Sequence, residues 1–203
     1  MGRNLETADV RGLLGLFLAD GYLTYCRCPS KSYIKGTLSA GVHERDFLEE
    51  KVAEVQRFVP TDARITPYLT PRRDSGKRTT VLRFRFSSGL LRPVYNLLYP
   101  YRERDVTRAA LELLGGRAAA WLWAEGCRLS GDGATLKRVG STTEEARLIS
   151  GWLQLLTGAE STVLDQAVRP RLRFDREGTA LVQAALLEYA PQSRQAVFLP
   201  ERL

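Results

Sequence analysis

The sequence contains few of the residues that build disulfide frameworks or histidine-based centres. Its 203 residues include three cysteines, one histidine and one methionine. Cys26, Cys28 and Cys127 make an odd number without a CxxC spacing, so we expect neither a disulfide framework nor a zinc site. Because His43 is the only histidine, a multi-histidine metal site is excluded. We interpret His43 as a surface residue at a strand end rather than as a general base.

Long apolar runs are also absent, and this argues against membrane insertion. No window of the sequence approaches the length of a membrane span. The short apolar run near the start follows Asp9 and Arg11 and ends at Asp20, which is unlike a signal peptide. We therefore expect a protein that is not secreted, has no membrane partner and works in a cytoplasm (bacterial or phage-encoded) or in an organelle.

Positive charge is in excess, and most of it comes from arginine. The formal net charge is +7, and all but five of the 30 basic residues are arginine. An excess of positive charge favours a polyanionic partner, and the planar guanidinium suits phosphates and guanine edges. A solvated surface combined with a GC-rich coding bias would give the same composition, so charge alone leaves both interpretations open.

Two apolar segments end in the same way, with a small residue, an acid and a glycine. The first, at 10–21, ends in Asp20-Gly21, and the second, at 117–126, ends in Glu125-Gly126. Both are predicted helices, and a helix that is apolar nearly all round must be buried. Glycine at the end of each is typical of a helix stop.

The segments after the two apolar helices are repeated as well. Strand pairs are predicted at 22–42 and 127–141, and amphipathic helices at about 43–58 and 142–157. Further on, Leu82-Arg83-Phe84 recurs as Leu172-Arg173-Phe174, an offset of 90 residues. At the same offset Leu91, Leu97, Tyr99 and Arg104 correspond to Leu181, Leu187, Tyr189 and Arg194. The predicted core positions of the two amphipathic helices are Phe47, Leu48, Val52, Val55, Ala146, Ile149, Leu153 and Leu156.

These repeats predict an α+β fold made by internal duplication. It consists of two pseudo-symmetric αββαββα halves, 1–108 and 109–203, each with an antiparallel four-stranded sheet. Small residues on the two apolar helices, Gly15 and Ala19 on one and Ala120 and Ala124 on the other, would let their backbones approach closely.

Packing the two helices together would bring Asp20 and Glu125 side by side. Neighbouring carboxylates repel each other, and one takes up a proton unless a cation lies between them. Carboxylate oxygens with open water positions suit Mg²⁺. A cation in such a place can stabilise charge during phosphodiester cleavage.

The sequence resembles the LAGLIDADG homing endonucleases (meganucleases), in particular single-chain, two-motif members of the intron-encoded and splicing-factor-like group. The motifs are Leu13 to Gly21 and Ala120 to Gly126, supported by Tyr99-Pro100 and by Ser141-Thr142-Thr143-Glu144-Glu145. The resemblance covers roughly 10–200. It implies a monomer that cleaves a long target site in double-stranded DNA, with its two sheets forming a saddle on the DNA. It also implies two or three Mg²⁺ ions, replaceable by Mn²⁺ or Ca²⁺, at Asp20 and Glu125, with the Ala19 and Ala124 carbonyls as further ligands.

Two positions depart from the family pattern. Where the family often has a lysine after the aromatic-Pro stretch, this chain has Arg102 and Arg104, and the polar residue expected at the end of the second strand is Ala40 or Gly41. Arginine keeps the charge but cannot act as a base. Arg104 and its counterpart Arg194 are the candidate catalytic cations. These departures favour two alternatives on the same scaffold, a non-cleaving maturase of intron RNA and a DNA-binding regulator.

Strand alternation predicts which side chains meet DNA. Arg83 and Arg85 would share one strand face opposite Leu82, Phe84 and Phe86, and Arg171 and Arg173 would repeat this arrangement. A basic loop at 72–78 is a candidate phosphate clamp. The predicted DNA-binding residues are Tyr22, Thr24, Arg27, Lys31, Tyr33, Lys35, Arg72, Arg73, Lys77, Arg78, Arg83, Arg85, Arg128, Lys137, Arg138, Arg169, Arg171 and Arg173.

Overall fold

The computed structural model describes residues 7–70, 78–165 and 169–199, and these form two halves with the same plan. The first half consists of α1 (Thr7–Ala19), β1 (Tyr22–Cys28), β2 (Lys31–Gly41), α2 (Arg45–Phe58), β3 (Ile65–Leu69), β4 (Thr80–Ser88) and α3 (Arg92–Leu98). The second consists of α4 (Arg108–Glu112), α5 (Gly116–Gly126), β5 (Cys127–Ser130), β6 (Gly133–Leu136), α6 (Thr143–Thr157), β7 (Thr162–Leu164), β8 (Arg171–Asp175) and α7 (Arg176–Leu186).

Each half contains one antiparallel four-stranded sheet. The strand orders are β1-β2-β4-β3 and β5-β6-β8-β7, so the same connection is used twice. The predicted α+β fold and its duplication are therefore confirmed. The suggested division after residue 108 falls at the first residues of α4. Every helix in the described ranges is too short or too polar to cross a bilayer.

Local sequence signals set the ends of the helices. After α1 the chain turns at Gly21, whose φ of +80° lies in the left-handed region that glycine tolerates. Thr142 caps α6 by accepting a hydrogen bond from the Glu145 amide at 3.2 Å, while Glu145 Oε2 accepts one from the Thr142 amide at 3.0 Å. This reciprocal capping box is the predicted opening of the helix at 142.

The two apolar helices α1 and α5 pack against each other at the centre of the molecule. Gly15 lies directly over Ala118, so close that a Cβ at position 15 would be 2.6 Å from the Ala118 Cβ. Both helices contribute to one continuous apolar core that includes residues from both halves. The halves are therefore parts of a single folding unit rather than independent domains.

The strand faces alternate as predicted. Leu82, Phe84 and Phe86 of β4 are buried, and Leu172 and Phe174 of β8 are buried in the same way. The arginines between them lie on the opposite face of each sheet, which we call the open face.

One sequence expectation about packing is wrong, and one sequence repeat is not matched by burial. The periodicity of α6 predicts Leu156 in the core, but Leu156 is 36% exposed; one turn earlier Trp152 is buried and donates a hydrogen bond to the Leu114 carbonyl. The repeat at an offset of 90 residues also weakens after the strands, since Leu91 is fully buried whereas Leu181 is 41% exposed.

Candidate functional site

Asp20 and Glu125 meet where α1 and α5 end. Asp20 directly follows α1, and Glu125 lies in the last turn of α5. Both carboxylates bind the same ammonium group, that of Lys51 on α2. Lys51 Nζ lies 2.8 Å from Asp20 Oδ2 and also donates to Glu125 Oε2. The Lys51 side chain is 1% exposed, so this cation is a buried part of the site.

Arg138 binds the same two acids from the exposed side. Its guanidinium donates to Asp20 Oδ1 at 2.8 Å and lies 3.3 Å from Glu125 Oε1. Half of the Arg138 side chain is exposed, and its φ of +66° places the backbone in the left-handed region. Each carboxylate thus gives one oxygen to Lys51 on the core side and one to Arg138 on the outer side. Two positive groups balance two negative ones.

The two carboxyls have opposite pKa shifts. Burial opposes ionisation of Asp20, but the ammonium of Lys51 and the guanidinium of Arg138 hold its pKa below the usual value. Burial, and after it the negative charge of Asp20, raise the pKa of Glu125, and the same cations offset this only in part. Glu125 is therefore the member of the pair that takes up a proton first as the pH falls.

Lys51 is a site residue that the sequence interpretation did not include. It lies among the apolar positions of α2, three residues after Leu48 and four before Val55, and both of those residues are fully buried. A lysine at that spacing on the core side of a helix is uncommon unless it has a partner. The signal was therefore present in the periodicity, but the partners are 31 and 74 residues away in the chain.

Arg104 lies next to the acid pair but binds the main chain. Its guanidinium donates to the carbonyls of Leu18 at 2.7 Å and Phe17 at 3.2 Å, at the end of α1. These carbonyls have no partner within the helix, and a cation also interacts favourably with this end of the helix dipole.

We expect Arg104→Ala to lower the free energy of unfolding by about 1 kcal/mol, because the helix-end carbonyls lose a charged donor. Urea denaturation followed by circular dichroism measures this. Arg108→Ala serves as the control, since Arg108 is exposed at the start of α4. Equal losses in the two variants would contradict this function of Arg104.

Arg194 is placed elsewhere than its expected symmetry with Arg104 suggests. It forms an ion pair with Glu44, and its guanidinium lies 4.6 Å from the centroid of the Phe47 ring. The same ring has Lys51 Nζ at 4.3 Å. Arg194 therefore contacts neither acid, and it ties the C-terminal segment to the N-terminal half because the segment after α7 folds back over α2.

A polar cavity of about 600 Å³ opens beside the acid pair. Three arginines line it, each from a different segment of the chain: Arg104, Arg138 and Arg169. Asp20 lines the cavity as well, so one member of the acid pair lies at an arginine-rich opening that suits the phosphates of a nucleic acid.

The open faces hold half of the side chains predicted to bind DNA. By strand register, Tyr22, Thr24, Tyr33, Lys35, Arg83, Arg85, Arg128, Arg171 and Arg173 all lie on them. Arg27 does not lie there. It is four residues after Leu23 in the same strand, so it shares the face of that buried residue. Arg138 binds the acids rather than lying on a strand, while Lys137 directly follows β6 and Arg78 is exposed before β4. Arg72, Arg73 and Lys77 and the side chain of Lys31 lie outside the described residues.

The duplicated αββαββα architecture, with two antiparallel four-stranded sheets, is the homing endonuclease fold. The structure of the homing endonuclease I-WcaI bound to its DNA recognition sequence has a TM-score of 0.76 at 12% identity, covering 98% of this chain and 88% of that one. I-DmoI in complex with DNA and Ca gives 0.59 at 16% identity, with 91% and 93% covered. Full-length DUF199/WhiA from Thermatoga maritima gives 0.50 at 10% identity, covering 97% of this chain and 60% of that one.

These likenesses confirm the resemblance to the LAGLIDADG proteins at the level of the fold. No protein-family model matches the sequence, and no curated protein is significantly similar to it. At identities of 10–16% the shared fold does not by itself transfer an activity.

The donor set is compatible with a divalent cation on the outer side of the pair. Lys51 occupies the core-side oxygens Oδ2 and Oε2, whereas Oδ1 and Oε1 are held by a half-exposed arginine that can move into solvent. With Arg138 displaced, the remaining charge of two carboxylates and one ammonium is −1, which still attracts a cation. Carboxylate oxygens are suitable ligands for Mg²⁺ and Ca²⁺.

Proposed function

We propose that the chain is a site-specific endonuclease that binds a long duplex DNA target and hydrolyses its phosphodiester bonds at Asp20 and Glu125. The observation that carries this proposal is that two acids from different halves share the same two cationic groups beside an arginine-lined cavity. Two acids with a purely structural role at helix ends would not have to bind the same two cationic groups. The DNA-bound homing endonucleases of the same fold support the choice of substrate.

In this proposal Asp20 and Glu125 would hold Mg²⁺, with the Ala19 and Ala124 carbonyls as further candidate ligands. When bound, it would stabilise negative charge on a phosphoryl oxygen and lower the pKa of a water molecule. The resemblance implies two or three such ions, and any beyond the shared one would take ligands from the DNA phosphates. Lys51, on the core side, keeps the two carboxylates close together and favours their ionised forms. Arg138 and Arg169 bind phosphates at the mouth of the cavity.

A second candidate function is DNA binding without cleavage. The observation that favours it is the complete neutralisation of the acids by Lys51 and Arg138. If the protein keeps Arg138 in place when DNA binds, the pair is a structural element in the floor of a DNA-binding surface.

The test is cleavage of a plasmid library carrying random inserts, with Mg²⁺ or with EDTA, by the wild type and by Asp20→Asn. We expect Mg²⁺-dependent cutting by the wild type and a loss of about 10²–10³-fold in the variant, because one preorganised charged group is removed. Binding to duplex DNA should stay within a few-fold of wild type. Asp62→Asn, an exposed acid after α2, is the matched control.

Undiminished cutting by the Asp20→Asn variant would exclude these acids as the catalytic pair. Binding to duplex DNA without cutting of any insert would favour the second candidate. An RNA duplex of the same length is the comparison ligand, and preference for it over DNA would refute both candidates.

A further inference from the structure

The open faces of the two sheets differ in size. In the N-terminal half β1 and β2 span 7 and 11 residues, whereas β5 and β6 in the C-terminal half span 4 each. The strands that pair with β2 and β6 on their other sides differ as well, with 9 residues in β4 and 5 in β8. A strand advances about 3.3 Å per residue. The N-terminal sheet can therefore follow a duplex over a longer distance.

The arginines of the N-terminal open face have no acidic partner among the described residues. Arg83 lies with its guanidinium carbon 3.3 Å from the centroid of the Tyr68 ring, and Arg85 lies 5.6 Å from the same ring. The four strands of this sheet contain no aspartate or glutamate. Stacking on an aromatic ring orients a guanidinium without neutralising it, so these charges stay available to an anion.

The repeat of Arg83 in the C-terminal half has a different partner. Arg173 Nη2 donates to Asp132 Oδ2 at 2.6 Å, and Asp132 lies in the turn between β5 and β6. Asp132 Oδ1 also accepts a hydrogen bond from Ser130 Oγ at 2.8 Å. These hydrogen bonds, first that of Ser130 and then that of Arg173, lower the pKa of Asp132, so it is ionised at neutral pH. Both members of the ion pair are more than half exposed.

We propose that the two halves bind DNA with unequal affinity. The N-terminal sheet provides most of the affinity, and Asp132 weakens the contact between Arg173 and DNA. This rests on the proposed DNA binding but not on cleavage. An arginine paired with a carboxylate adds no net charge to the surface, so it releases few counterions from DNA. Asp132 would also lie near the phosphates and repel them. Arg83 is not paired with a carboxylate among the described residues, so neither the neutralisation nor the repulsion applies to it.

The first experiment measures the affinity of Asp132→Asn for a random-sequence DNA duplex as a function of salt. Asparagine is well accepted in turns and keeps an acceptor for Ser130, so the fold should be unchanged. We expect the affinity at low salt to rise about fivefold, and the slope of log K against log salt to steepen by about one, as for one additional phosphate contact.

Glu49→Gln is the matched control. It removes an equally exposed ion pair, that of Glu49 with Arg45 on α2, and changes the net charge by the same amount. Because these residues lie on a helix and not on an open face, we expect its affinity to stay within about twofold of wild type. A fivefold rise in this variant too would mean that net charge alone sets the affinity and would overturn the proposal.

The second experiment compares Arg83→Ala with Arg173→Ala on the same duplex. We expect Arg83→Ala to flatten the salt slope by about one, and Arg173→Ala to change it much less. Equal losses in the two variants, or weaker binding by Asp132→Asn, would show instead that Asp132 orients Arg173 for DNA, and would overturn the proposal. If the wild type binds no duplex at low salt, it is the proposed function that fails.

Discussion

Replacing Lys51 by methionine is expected to lower the free energy of unfolding by about 3–5 kcal/mol, the usual cost of removing one partner from a buried ion pair. Methionine fills a similar volume but leaves Asp20 and Glu125, both nearly buried, with Arg138 as their remaining cationic partner. Urea denaturation with a comparison of the midpoints measures the loss.

Two further measurements separate charge from packing at position 51. The double variant Lys51→Met with Asp20→Asn removes one negative charge as well, so we expect it to regain part of the stability. Adding Ca²⁺ should stabilise Lys51→Met more than the wild type, because the ion replaces the lost charge. Lys35→Met on β2 is the control. A loss below about 1 kcal/mol at position 51, within the range of exposed pairs, would mean that Lys51 is not a component of the acid centre.

Gly15→Ala is expected to destabilise the protein by about 1–3 kcal/mol, although alanine is the better helix former. The added Cβ would be 2.6 Å from the Ala118 Cβ and 3.0 Å from its Cα, so α1 and α5 must separate. Such a movement would also shift Asp20 away from Glu125. Thermal unfolding detects the loss, and the DNA cleavage assay detects the displacement.

Gly151→Ala is the matched control for this substitution. Gly151 also lies within a helix, α6, but nothing is near its missing Cβ, so we expect a gain of up to about 1 kcal/mol. The double variant Gly15→Ala with Ala118→Gly exchanges the two residues across the interface and should recover much of the loss. No recovery would mean that Gly15 is needed for a reason other than contact with Ala118.

The duplicated fold and the acid pair could be predicted from sequence because both depend on local patterns that occur twice. Helix periodicity, strand alternation and the acid-glycine ending each involve neighbouring residues, and repetition removes the ambiguity that a single copy leaves. The burial of Phe84 and Phe174, and the exposure of the arginines beside them, follow directly from that alternation.

The sequence could not show which cations bind the acids. Lys51 and Arg138 are distant from Asp20 in the chain, and only the packing of α2 and the turn after β6 brings them together. Symmetry is also misleading for Arg194, because the segment after α7 crosses to the other half while the segment after α3 remains beside α1. Arg27 is predicted to bind DNA because it is a basic residue near the end of a strand, but strand alternation places it on the face of Leu23 rather than on the open face.

The single core that joins α1 and α5 has a consequence for synthesis on the ribosome. Until α5 emerges, the apolar surface of α1 has no partner from the other half, and Asp20 has no second carboxylate beside it. The acid centre can therefore form only after α5 and Arg138 of the second half have emerged. We expect a fragment that stops after the first half to be poorly soluble and to lack the acid centre.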